Sequence, residues 1–84
     1  MQLALSFDYP PNPAAYGTEA WWVYELLTAR GEACGKDFED NPDRRVREYR
    51  SRVAKLKHMM PAGWTIHHRR QHGSKYVFYS IGRE

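Results

Sequence analysis

Cysteine is almost missing from this chain: Cys34 stands alone among 84 residues. No intramolecular disulfide can form, so the fold must be held by burial, and nothing in the sequence asks for an oxidising compartment. Long apolar runs are lacking too. The opening "MQLALSFDYPP" offers no basic residue and only a few apolar ones before Asp8, so it reads as neither a secretion signal nor a membrane span. The expectation is a soluble, cytoplasmic protein with no membrane partner. Phosphate-binding glycine loops, nucleophile elbows and zincin motifs are absent as well, which argues against an enzyme and against a cofactor. Acidic residues are scarce in one half only. Residues 42–84 carry eleven Lys or Arg against three Asp or Glu, net +8, whereas residues 1–41 carry two against seven, net −5. The overall charge of +3 conceals a local positive field of the kind that meets polyanions.

What the chain does have is aromatic mass. Aromatic residues make up 14% of it, and these large side chains can supply a core in a single domain close to the lower size limit for folding without staples. "LALSF" at 3–7 alternates Leu3, Leu5 and Phe7 with Ala4 and Ser6, the period of a half-buried strand. Pro10, Pro11 and Pro13 then force an extended connector. Residues 1–16 thus read as an N-terminal strand and Pro-rich arm, ahead of a domain over 17–84.

Within that domain, Thr18 as N-cap and Glu19 in the first turn open a helix through "EAWWVYELLTAR". Ala20, Val23, Tyr24 and Leu27 share one face of it, and Gly31 stops it. "EACGKDFEDN" leaves room for one or two helical turns. Asn41 followed by Pro42 predicts the next helix start, because Asn caps well and proline at the first helical position loses no hydrogen bond. From there Val46, Tyr49, Val53, Leu56 and Met60 recur at helical spacing until Pro61 and Gly63. "WTIHHR" and "KYVFYSI", separated by a loop containing Gly73, predict a β-hairpin. Trp64 and Ile66 on one strand, and Val77, Tyr79 and Ile81 on the other, form the faces that close on the helices. The expected fold class is α+β.

The stretch over 41–60 is the chemically distinctive one. Seven of its residues are Arg or Lys, and only Asp43 and Glu48 are acidic. On a helical wheel Arg44, Arg47, Ser51 and Lys55 oppose the apolar stripe, while Arg45, Arg50, Arg52 and Lys57 flank it. A merely solvated face usually mixes signs so that neighbouring turns pair. Here self-repulsion is tolerated, which points to an external anion. Further cations, Arg69, Arg70 and Lys75, sit with His72 at or near the tip of the hairpin. Helix, helix, basic helix and hairpin is the order of a winged helix-turn-helix, whose last helix enters the major groove while the hairpin touches the backbone or minor groove.

The pattern "TEAWWVYELLTARGEACGKDF…RVREYRSRVAKLKHMMPAGWTIHHRR…SKYVFYSI" resembles the small winged helix-turn-helix proteins of phages and prophages over residues 17–82. In these a helix of the form R(I/V)xxLR runs into GWxI and a closing strand YxL. The counterparts here are Arg52, Val53, Leu56 and Lys57, then Gly63, Trp64 and Ile66, then Tyr79 and Ile81. The resemblance implies double-stranded DNA as partner and a role as a small transcriptional regulator or recombination accessory. It also implies that Arg44, Arg47 and Ser51 approach base edges, since Arg can bond guanine bidentately and Ser suits donors or acceptors. Arg50, Lys55 and the wing residues Arg69, Arg70, His72 and Lys75 would hold phosphates. A single short reading helix asks for a homodimer or tandem sites. Asp37, Glu39 and Asp40 would have to point away from the duplex.

Two other readings of the same residues stand beside this one. The acidic N-terminal half with its Pro-rich arm could dock a basic host protein, making the chain a phage-encoded inhibitor or adaptor on the same fold without DNA. Tyr76 and Phe78 could stack on single-stranded RNA bases. A metal site is not expected: His67 and His68 point to opposite faces of a strand, and Cys34 lacks the closely spaced partners that zinc sites use.

Overall fold

Thr18 and Gly31 bound the first helix as their chemistry demands. The Thr18 hydroxyl accepts from the backbone N–H of Trp21, and Gly31, at φ 82°, donates its own N–H to the Leu27 carbonyl. Between them α1 spans Glu19–Arg30 and buries Ala20, Val23, Tyr24 and Leu27. The computed structural model describes residues 9–42, 45–73 and 75–84; the strand read over 3–7 lies outside them, as do Asp43 and Arg44. After α1 come β1 (Ala33–Cys34), α2 (Gly35–Glu39), α3 (Tyr49–Met59), β2 (Trp64–Arg70) and β3 (Val77–Arg83). The described residues therefore form an α+β domain with three helices and one three-stranded antiparallel sheet, ordered β1-β3-β2.

The hairpin forms with Ile66 opposite Ile81 and His68 opposite Tyr79. Because side chains alternate across a pleated strand, Trp64, Ile66, His68 and Arg70 share the face of Val77, Tyr79 and Ile81. Ile66 and Ile81 are buried there with Val23, Leu27, Ala33, Phe38, Val46, Val53 and Leu56, so this face looks onto the helices. The opposite face carries His67, Arg69, Phe78 and Ser80, with Cys34 of β1 opposite Phe78. β1 has no counterpart in the sequence reading. It is two residues long and exists because Ala33 and Cys34 pair with Tyr79 and Phe78.

The basic helix starts later than its capping signal predicts. Asn41 and Pro42 do not open it; residues 40–42 and 45–48 lie outside any helix, and α3 begins at Tyr49. The loop is folded back onto α2 by two hydrogen bonds to consecutive carbonyls, Val46 N–H to Phe38 at 3.0 Å and Arg45 Nε to Glu39 at 3.1 Å. This seats Val46 in the core beside Phe38, and Tyr49 then stacks on Phe38 with ring centroids 5.7 Å apart. Burial of these side chains outweighs a local cap worth about 1 kcal/mol. Tyr49 also lies over Gly35, where any Cβ would come within 2.3 Å of its ring.

Part of the Pro-rich arm is bound to the domain. The Tyr24 hydroxyl donates to the Pro10 carbonyl, Asn12 Nδ2 donates to the Trp21 carbonyl at 3.1 Å, and Tyr9 packs near Trp64. Burial raises the Tyr24 phenol above its ordinary pKa, reinforced by Glu25. Among the described residues no helix is long and apolar enough to cross a membrane.

Candidate nucleic-acid interface

Val53 and Leu56 fix the rotation of α3 by entering the core, and this decides which of its cations look outward. Arg50, Ser51, Ala54, Lys55, Lys57 and His58 are all exposed. Ser51, Lys55 and His58 lie opposite the buried pair, whereas Arg50 and Lys57 lie on one shoulder. That shoulder is on the hairpin side: Tyr49 contacts Tyr79 edge-on at 6.4 Å, and Arg50 lies close enough to offset part of the rise that burial imposes on the Tyr79 phenol pKa. The other shoulder carries Arg52, whose Nε donates to Glu19 at 2.7 Å and ties α3 to the first turn of α1.

Each residue assigned from the sequence can now be placed. Arg44 lies outside the described residues. Arg47 is exposed, but in the turn ahead of α3 rather than on the helix, a consequence of the late start. Arg50, Ser51 and Lys55 are on α3 and exposed as expected. In the hairpin, Arg70, His72 and Lys75 are exposed. Arg70 donates to the Lys75 carbonyl across the hairpin, and the Lys75 ammonium sits 5.6 Å from the Tyr76 ring centroid. Arg69 stands apart from these. It lies on the far face of the hairpin, 4.9 Å from the Phe78 ring centroid, and donates from Nε and Nη2 to both oxygens of Glu32 at 2.7 and 2.8 Å. Those hydrogen bonds hold the Glu32 carboxyl below its usual range and raise Arg69 further.

The structure thus gathers Arg50, His68 and Arg70 towards one side, where the first turn of α3 meets the helix-facing surface of the hairpin. Arg47, Lys55 and Lys57 extend this positive surface along α3 and ahead of it. Among the described residues none of these cations pairs with a carboxylate; the ion pairs found are Arg30–Asp37, Arg52–Glu19 and Arg69–Glu32. Of the acidic residues around α2, Glu39 and Asp40 are exposed, Glu39 lining a shallow pocket together with Arg47, Arg50 and Ser51, and Asp37 is half-buried. Asp37 turns back to accept from Arg30 and from the Cys34 backbone N–H, both at 2.9 Å. His67 and His68 diverge as the pleat requires, with His67 Nε2 2.8 Å from the Arg83 carbonyl oxygen. Among the described residues no three His, Cys, Asp or Glu side chains converge on a metal position. Comparison of the chain with protein-family models, curated proteins and solved structures finds no match.

Proposed function

We propose that this chain is a winged helix-turn-helix domain that binds double-stranded DNA, in the manner of a small phage or prophage transcriptional regulator or recombination accessory. The observation that carries the reading is the placement, on the outer side of α3 and on the adjoining face of the hairpin, of cations that pair with no carboxylate among the described residues. The element order, with β1 between the first two helices and β2 and β3 after the third, supports the same reading. Residues 40–48 make the link between α2 and α3 longer than the three or four residues of an ordinary helix-turn-helix. This brings Arg47 to the DNA from a turn and leaves Ser51 and Lys55 as the side chains of α3 aimed most directly outward. Ser51 and Arg47 are the candidates for base edges, and Arg50, Lys55, Arg70, His72 and Lys75 for phosphates. In this reading the chain is a binder, without catalysis or cofactor, and acts as a dimer or on tandem sites.

Fluorescence anisotropy of a labelled mixed-sequence duplex tests it. Wild type should bind in the micromolar range at low salt and weaken steeply as salt rises, because bound phosphates release counterions. Arg50→Ala/Lys55→Ala should lose about tenfold or more and flatten the logarithmic salt slope by about two. Absence of wild-type binding at low salt would remove the reading.

One observation favours a protein partner instead. A groove of about 310 Å³ is lined by Trp22, Glu25, Leu26 and Ala29 of α1, Phe38 of α2, and Asn41 and Val46. An interface with such an apolar centre would depend weakly on salt, which separates the two readings in the same titration.

A further inference from the structure

Arg69 and Arg70 are adjacent on β2, but the pleat sends them to opposite faces. Arg70 is on the side of Ile66 and His68, facing the helices. Arg69 is on the side of Phe78 and is engaged there, its guanidinium over the ring and two of its five donors, Nε and Nη2, on the two oxygens of Glu32. Building on the DNA-binding reading, we infer that the duplex meets the hairpin on the Arg70 side only, and that Arg69 is a positioning residue that fastens the hairpin to the α1–β1 junction.

The place of Glu32 gives the contact its leverage. It directly follows Gly31, the stop of α1, and directly precedes β1. β1 contributes only two residues to the sheet, so the hairpin has a short ladder on that side and the fork adds a second point of attachment. A phosphate approaching this face would meet the Glu32 charge and a guanidinium whose strongest donors are already used. On the opposite face Arg70, among the described residues, donates to a backbone carbonyl at 3.3 Å and can exchange that bond for a phosphate.

The test compares Arg70→Met, Arg69→Met, Arg69→Lys and Glu32→Gln by duplex titration at several salt concentrations and by thermal melting without DNA. Arg70→Met should flatten the salt slope by about one and leave the melt unchanged. Arg69→Met and Glu32→Gln should keep the slope, each weaken binding by about threefold and each lower the melting temperature. Their double variant should do no worse than the poorer single one. Arg69→Lys, which keeps the charge but not the fork, should behave like Arg69→Met.

Glu32→Gln is the decisive variant, because deleting a negative charge near a bound polyanion should tighten binding if Arg69 contacts phosphate. Tighter binding there, or a slope reduced by about one in Arg69→Met, overturns the inference. The melts carry a pH signature as well. The Glu32 carboxyl is lower in the folded chain than its ordinary 4.5, so its contribution is present above that pH and lost as pH falls through the depressed value. Wild type and Glu32→Gln should therefore converge in acid. Failure of the wild type to bind any duplex overturns the DNA reading and the sidedness together, whereas additive melts overturn the fastening alone.

Discussion

α1 and α3 are nearly equal in length, 12 and 11 residues, yet they are held in opposite ways. α1 is closed at both ends by its own residues, Thr18 and Gly31, and buries four side chains. α3 has Glu48 at its N-cap with no side-chain bond to the backbone, and it buries only Val53 and Leu56. What positions α3 is the packing around its first turn, where Tyr49 is stacked on Phe38, set edge-on to Tyr79 and pressed over Gly35. A helix whose two ends are signalled is set locally. One whose start is not is set there by what it touches, and so it can carry a surface of like charge that local pairing would not stabilise.

The most severe way to break this comparison is to empty the core under each helix. Leu27 of α1 and Leu56 of α3 are both fully buried. Leu27→Ala and Leu56→Ala should each cost about 3 kcal/mol, read from urea unfolding midpoints at constant slope. Equal costs would mean that α3, despite its smaller buried face, belongs to the same cooperative unit as α1. A much smaller cost for Leu56→Ala, with a changed slope, would mean that α3 detaches before the rest unfolds.

A somewhat smaller effect separates the two anchors. Gly35→Ala forces a methyl group to within 2.3 Å of the Tyr49 ring and should cost about 2 kcal/mol as the first turn of α3 is displaced. Gly31→Ala meets open space, but at φ 82° it should cost about 1 kcal/mol through backbone strain alone. Tyr49→Leu placed on Gly35→Ala should recover part of the first loss and none of the second. If Gly35→Ala were neutral in unfolding measurements, the packing account of α3 would be wrong.

The same contrast explains what was legible in the chain. The ends of α1 could be read from Thr18 and Gly31, and the hairpin from two β-prone runs around Gly73, because those signals act over a few residues. The core face of the basic segment was legible too. Val46, Val53 and Leu56 are buried as the spacing predicts, although Val46 reaches the core from a loop. The start of α3 was misread because Asn41 and Pro42 state a local preference that Phe38, Val46 and Tyr49 override through contacts across the fold. β1 left no trace, since two residues have no period and its partners lie in β3. For the candidate site, residue type could be read but pairing could not. Glu19 and Arg52 are 33 positions apart, and Glu32 and Arg69 are 37 apart, so nothing local marks which cations are taken.

The smallest effect addresses the helix starts directly. Thr18→Ala removes the hydroxyl that accepts from Trp21 N–H and should cost about 1 kcal/mol, without altering duplex affinity at saturating folded protein. Glu48→Ala removes no capping bond and should stay within about 0.5 kcal/mol. It also deletes a negative charge between Arg47 and Arg50, so duplex binding should tighten modestly at low salt and the gain should fade as salt rises. Stability and affinity then move independently at the two caps. That separation is expected if α1 is a frame and α3 a surface held in place by that frame; a Glu48→Ala loss as large as that of Thr18→Ala would make the two helices alike after all.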